Sequence, residues 1–435
     1  MTTFTRPKLL TSMTAIAALA TAGVVHAAGA SEPTLTGWAL MPAATFADGP
    51  TSGQFAGPNP YGTNLPPFAA KQPVQGFSGV LRGPGRDTFR FLVDNGFGAK
   101  ANSADALLRM YAVSVDLRTA QGGSGTVAAA DWVSGRPRAA FDSRTRLTLN
   151  DAARQIGIAV QADYSHYYDN PAGIPVDAAI RDARLLTGAD LDIESVRRDH
   201  RGHYWFGDEF GPYLVKTDAH GTVLRPVIPM PGVYAPENAD VLAGTVAPNL
   251  GGSGGFEGMA MNTSGTRLFT LLEKVVAGDP QRQLRISEFD VDAESYTGRM
   301  WFYPLDAAGT AIGDMTAIDD ERFVVIERNG GTATTPSTAP FKKLFLVDLS
   351  DLPSGGTARK TELVDLMNLA DPHDLDRDGK AIYTLPYVTI EDVLILDDHT
   401  LLVVNDNNFP YGGGRTLASD ATEFIRIALP TGLRR

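Results

Sequence analysis

Cysteine is absent from all 435 residues, which removes disulfides and thiolate metal sites as sources of stability. Histidine is scarce at seven, and no Walker loop or H-E-x-x-H pair is present, so P-loop phosphate binding and zincin chemistry are excluded. Basic charge is short as well. Lys and Arg number 38 against 50 Asp and Glu, a net charge of −12, which argues against nucleic acid or an anionic membrane surface as partner. After Val25 no apolar run reaches membrane length, so no membrane span remains once the leader is removed. The one nucleophile-elbow match, Gly251-Gly252-Ser253-Gly254-Gly255, lies in a glycine-rich loop before a strand. A serine-hydrolase elbow needs a strand-to-helix turn and a His partner.

What is present begins with an address. Arg6 and Lys8 precede an apolar run from Leu9 to Val25, and Val25-His26-Ala27 puts small residues at −3 and −1. This is the pattern of a secretory signal peptide cleaved near Ala27. Residues 1–27 are therefore expected to be removed and 28–435 to form one domain, periplasmic or secreted. That segment carries two cations and no acids, so the remainder stands near −14 (−12 − 2), a balance suited to holding divalent cations.

Beyond the leader, short β-branched and aromatic runs bounded by Gly, Asp, Asn and Pro predict an all-β chain. Five segments repeat one pattern: a small or acidic residue opens an apolar run, and a second run ends in an acid. Ser78 leads to Asp94, Glu194 to Glu209, Glu257 to Glu273, Asp314 to Glu327, and Glu391 to Asp406. These pairs are 16, 15, 16, 13 and 15 positions apart. A third strand follows at Leu108–Val113, Leu284–Phe289 and Lys343–Asp348. From Glu194 the openers recur after 63, 57 and 77 residues, the size of a propeller blade. The fold class is thus a β-propeller with five blades counted directly, closed by an N-terminal strand around Trp38 to Phe46. The 116 residues between Ser78 and Glu194 leave room for a sixth blade or an insertion. The segment 122–188 reads as a lid or a decorated loop.

In an antiparallel pair the start of one strand lies beside the end of the next. Glu194, Asp208, Glu209, Glu257, Glu273, Asp314, Glu327, Glu391 and Asp406 should therefore gather at one end of the ring. So many carboxylates repel unless some are protonated or cations sit among them. Oxygen-only donors favour calcium. The division of labour expected here makes Glu194, Glu257 and Glu273 catalytic, with Asp208, Glu209, Asp314, Glu327, Glu391 and Asp406 as metal ligands. Lys274 and Arg328, which directly follow Glu273 and Glu327, are placed to bind substrate phosphate. Asp374, Asp376 and Asp378 form a D-x-D-x-D-G loop, a second calcium candidate. Leu385 occupies the place of the bidentate Glu of an EF-hand, which makes that loop structural.

Asp192-Ile193-Glu194-Ser195, Gly207-Asp208-Glu209-Phe210-Gly211-Pro212, Gly255-Phe256-Glu257-Gly258-Met259-Ala260 and Leu272-Glu273-Lys274 resemble the phytase-like family with esterase-like activity, over about residues 35 to 430. The resemblance implies a propeller, bacterial export and hydrolysis of a small-molecule phosphoester with calcium as cofactor. The dense Lys and Arg cluster that a highly phosphorylated inositol demands is missing, which points to a smaller phosphoester. The competing expectation is a non-catalytic propeller that binds a ligand or protein and holds calcium for structure alone. The oligomeric state has no signature in the sequence.

Overall fold

The computed structural model describes residues 1–2, 31–167 and 173–434. The leader from Arg6 to Ala27 lies outside these residues. The rest builds a five-bladed β-propeller. Blade 1 comprises Phe77–Arg82, Thr88–Val93, Arg109–Asp116 and Thr126–Ala130. Blade 2 runs from Ile193–Arg198 through Tyr204–Asp208 and Tyr213–Thr217 to the short Ile228–Pro229. Blade 3 is Gly258–Met261, Arg267–Leu271, Gln283–Asp290 and Ser295–Pro304. Blade 4 is Ala311–Ala317, Arg322–Arg328, Lys342–Asp348 and Arg359–Asp365.

Blade 5 joins the chain ends. Asp392–Asp397, Thr400–Val404 and Thr422–Ala428 are completed by Thr34–Met41, which pairs antiparallel with Thr422–Ala428. The closing strand stops at Met41. Phe46, expected at its end, belongs to a separate ribbon pairing Phe46–Asp48 with Lys71–Pro73. A buried polar knot locks the closure: the Glu423 carboxylate accepts from Trp38 Nε1 (3.1 Å), Tyr387 OH (2.6 Å), Arg415 Nε (2.6 Å) and Tyr383 OH.

The ring closes without a sixth blade. Blades 1 and 2 meet where Gly79 abuts Val196, and blades 2 and 3 where Ser195 Oγ donates to Phe256 O at 2.7 Å. Gly258 lies against Ile312 between blades 3 and 4. Val393 N donates to Asp314 between blades 4 and 5, and Ser78 Oγ donates to Glu391 between blades 1 and 5. The long interval before Glu194 is an insertion. Its strands Pro137–Arg138 and Arg146–Thr148 extend blade 1, and a helix Ala178–Ala183 packs under Leu107, Tyr167 and Val176.

Burial follows position within a blade. Second strands such as Arg267–Leu271 lie between neighbours and are almost continuously buried, whereas outer strands such as Arg359–Asp365 are largely exposed. Each blade-to-blade seam holds its own apolar cluster. Phe77, Phe91 and Phe424 join blades 1 and 5, Trp205 and Phe256 join blades 2 and 3, and Phe269, Trp301 and Phe323 join blades 3 and 4. Large ring-shaped cores of this kind supply the stability that disulfides do not.

Candidate functional site: an acidic mouth

Strand register brings the repeat's acids to one end of the ring. Phe77 pairs with Val93, Ile193 with Asp208, Gly258 with Leu271, Ile312 with Glu327 and Asp392 with Val404. The opener of each inner strand therefore sits beside the last residue of its second strand. Inner strands of blades 1, 2 and 4 are bulged near their starts, and a bulge re-aims the side chains around it. Close approach also demands glycine. A Cβ on Gly255 would lie 2.5 Å from Glu209 Cα, and one on Gly313 would lie 2.1 Å from Ile390 O.

At the centre, Arg328 reaches back over the axis. Its Nη2 lies 3.2 Å from Glu257 Oε1, 3.0 Å from Glu273 Oε1 and 3.1 Å from Glu391 Oε1. An NH2 group has two protons, so one of these three contacts is electrostatic rather than a linear hydrogen bond. Against the cost of burial, Glu273, Glu391 and Glu257 hold the guanidinium above its ordinary value. Ser78 Oγ donates to the other oxygen of Glu391 at 2.9 Å. Burial and then Asp406 push Glu391 up to about 8. Glu257 rises well above the usual range through burial and through Glu391 and Glu273.

Beside this trio Asp192, Glu194 and Glu209 bring carboxylate oxygens within 4.8 Å of one another. Asp192 and Glu209 are almost fully buried, and Asp192 Oδ1 and Glu209 Oε1 have no hydrogen-bond partner. Burial raises Glu194 and Glu209 well above the carboxylate range, with Asp192 and Glu273 adding repulsion respectively. Asp192 is pushed up to about 6 by burial, moderated by bonds to Glu194 and Asn95. Two unpartnered buried oxygens in a group of three clustered carboxylates are a donor set short of a cation. They fit calcium, which takes only oxygen ligands.

Other predicted residues are placed differently. Asp208 spends its two oxygens on the amides of Asp192 and Gly211, both at 2.8 Å, and so shapes the turn that carries Glu209. Asp314 lies deeper in the channel, ion-paired at 2.7 Å to Arg197 from blade 2. Glu327 points away from the mouth because strand residues alternate; Tyr303 OH (2.5 Å), Lys360 Nζ (2.6 Å) and the Asp306 amide (2.6 Å) hold it. Asp406 accepts from Thr389 Oγ1 and the Asn408 amide, and faces Asp94 across a small cavity of ≈ 60 Å³. Lys274 is exposed on the rim, where Nζ donates to Gly252 O at 2.5 Å. In the Asp loop, Asp374 and Asp376 meet Asp371, while Asp378 turns to Lys380 at 2.6 Å. That loop is remote from the mouth, bonded through Leu375 O to Arg118.

Asp192, Asp94 and Asp392 belong to the site although the sequence reading left them out. Asp192 had a legible signal, an acid two places before Glu194 at a strand start. Asp94 ends its run as Glu273 does. Asp392 is buried with both oxygens unpartnered, and nothing in its local sequence marks that.

Residues 72–409 match the family described as phytase-like, with esterase-like activity of phytase. An uncharacterized secreted protein of Arthroderma benhamiae is 26% identical over 175 residues, 33% of this chain and 34% of that protein; the chain thus spans about a third of the curated relative it matches. Among solved structures, an α-L-arabinofuranosidase from Podospora anserina in complex with cellotriose aligns over 92% of this chain and 99% of its own, at 12% identity and TM-score 0.38. A luciferin-regenerating enzyme aligns over 83% and 94%, at 9% identity and TM-score 0.37. Likeness at this level bears on neither substrate nor mechanism. Among the described residues no helix is long and apolar enough to cross a membrane. With four-fifths of its length matched and the repeated carboxylate motifs assembled at one mouth, the chain belongs to the phytase-like family of esterase-like activity.

Proposed function

We propose that the protein is an exported, calcium-dependent phosphoesterase working at this mouth. The observation that carries the reading is the Asp192, Glu194 and Glu209 group, with buried oxygens of Asp192 and Glu209 left unpartnered, beside an arginine-held trio of glutamates. Asp192, Glu194 and Glu209 would hold the cation. When bound, calcium supplies positive charge that offsets the phosphate and lowers the pKa of coordinated water.

The chain's own groups do the rest. Arg328 fixes Glu257, Glu273 and Glu391 in place, a positioning role that differs from the direct phosphate contact expected from sequence. Glu273, bonded only through one oxygen to Arg328, is the candidate general base; Glu257 shares the same arginine proton donor and orients it. Lys274 on the rim offsets charge on the phosphate oxygens as the ester enters. In the reaction, a water oxygen bonds to phosphorus and its proton goes to the base. The phosphorus–oxygen bond to the alcohol breaks, and the leaving oxygen takes up a proton. The Asp371, Asp374 and Asp376 loop is a separate, structural calcium candidate. Export rests on the leader pattern ending near Ala27, which leaves residues 28–435 as the working chain, and is in keeping with the secreted relative.

Asp192→Asn tests the reading. Its calcium affinity and phosphoester turnover should both fall at least tenfold while the apo protein stays folded. Turnover at the wild-type level in Asp192→Asn would remove this group from the mechanism.

A further inference from the structure

A cavity of ≈ 410 Å³ opens beside the acidic mouth. Ile158 and Tyr164 of the insertion form one wall, and Phe210, Tyr213 and Leu242 the other. Two features join it to the site. Phe210 directly follows Glu209, and Glu237 on the cavity wall acts electrostatically on Asp192. Two larger hollows of ≈ 690 and ≈ 710 Å³ are lined largely by charged and polar side chains and lie on the opposite face and along the outer edge of blade 1; neither is lined by the carboxylates of the mouth.

The wall chemistry is selective. Tyr164 is 42% and Leu242 66% exposed, so two large side chains at the rim of one cavity present surface that a ligand can reach. The cavity's charged groups are Lys100, Asp190 and Glu237. Lys100 Nζ lies 5.0 Å over the Phe210 ring and also donates to Ala189 O. Asp190 accepts from the Gln161 (2.6 Å) and Thr187 (2.8 Å) amides. The cavity's own charge is thus net negative by one, and a polyanion would be repelled. Its volume and apolar lining match a site for a small organic group.

We infer that this cavity receives a neutral aromatic group of one or two rings, the alcohol part of the ester whose phosphate reaches the mouth. The substrate class is therefore an aryl phosphomonoester rather than a polyphosphorylated polyol. This rests on the phosphoesterase reading for its turnover arm but not for its binding arm. The double variant Tyr164→Ser with Leu242→Ser changes two rim side chains outside the strands of the ring, and circular dichroism should show the wild-type fold.

The binding arm titrates 1-naphthol, with no calcium and no phosphate, by calorimetry. The wild type should bind and the double variant should bind about 10-fold or more weakly, in line with the loss of apolar contacts in a pocket. Equal binding by both proteins, or no binding by the wild type, overturns the inference. The turnover arm compares naphthyl phosphate with methyl phosphate in calcium. The ratio of their kcat/KM values should exceed 10 in the wild type and fall about 10-fold in the double variant, with methyl phosphate unchanged. An unchanged ratio overturns the inference. If neither ester is cleaved, the phosphoesterase reading fails, and the naphthol titration still decides the pocket.

Discussion

Replacing Arg328 by Gln isolates the electrostatic keystone of the mouth. The guanidinium stands 3.0 to 3.2 Å from three glutamate oxygens, and its loss leaves Glu257, Glu273 and Glu391 buried without a cation. Removing one partner of a buried ion pair costs about 3–5 kcal/mol. Protonation of one or more glutamates would relieve part of the repulsion, so the lower end applies near pH 6 and the upper end near pH 8. Unfolding entropy near 2.1 cal/mol/K per residue gives ~0.8 kcal/mol/K for a ring of about 400 residues, so Tm should drop by roughly 4–6 °C. The assay is calorimetric unfolding of Arg328→Gln in chelator at pH 6 and pH 8. Adding Glu391→Gln should recover part of the loss, because one uncompensated carboxylate disappears. A Tm within about 1 °C of wild type at both pH values would refute the claim that Arg328 holds these glutamates together.

Other expectations concern sites with different physics. Asp192→Asn should raise Tm in chelator, because a buried unpartnered oxygen loses its charge, and should cut the calcium-induced gain at least by half; at 100 times the wild-type Kd that gain is about 2.7 kcal/mol, or ~3 °C, and a tenfold weaker site gives about 1.4 kcal/mol. Glu423→Gln leaves the half-buried Arg415 without its carboxylate and should cost about 3 kcal/mol, the low end for a broken buried pair because solvent reaches the guanidinium, read by the same calorimetry. Lys342, pushed down to about 7 by burial and by Arg328, sets a pH dependence. Its folded pKa lies below the unfolded value of 10.5, so the unfolded chain binds more protons between the two and wild-type stability rises with pH across that window. Lys342→Met should therefore be more stable than wild type at pH 6, by about 2 kcal/mol after the lost bonds to Asn329 O and Val388 O are counted, and the advantage should vanish by pH 10. A pH-independent difference would remove Lys342 as the source.

The fold was legible because blade seams impose a strong pattern. Runs such as Phe323-Val324-Val325-Ile326 are buried on both faces, and each ends at the mouth, so repeated acids marked the same point of five hairpins. The N-terminal closure was legible as a strand near Trp38, although it spans Thr34–Met41 and alternates in burial where the inner runs are buried on both faces. The insertion was legible only as extra length that could equally hold a sixth blade, because the described residues of 131–190 carry two short strands, a single 3-10 turn and a six-residue helix, none long enough to set a clear period. Within the site, the grouping of Glu257, Glu273 and Glu391 followed from the repeat. The alternation of side chains along a strand separates Glu327 from Arg328, and a repeat marker placed one residue off the channel face cannot reveal that. Bulges at the inner strands decide which of Asp192, Ile193 and Glu194 face the axis, and bulges leave little trace in sequence. Arg197, which takes Asp314 out of the mouth, comes from a blade across the ring.

The most direct measurement of the central claim is hydrolysis of an aryl phosphomonoester by the purified chain from residue 28, in calcium and then in excess chelator, with Asp192→Asn alongside. Turnover present in calcium, lost in chelator, restored by added calcium and at least tenfold lower in Asp192→Asn is the expected result. Turnover indifferent to chelator, or no turnover while calcium still raises Tm, would contradict a catalytic cation at the mouth and leave a propeller whose calcium serves structure alone.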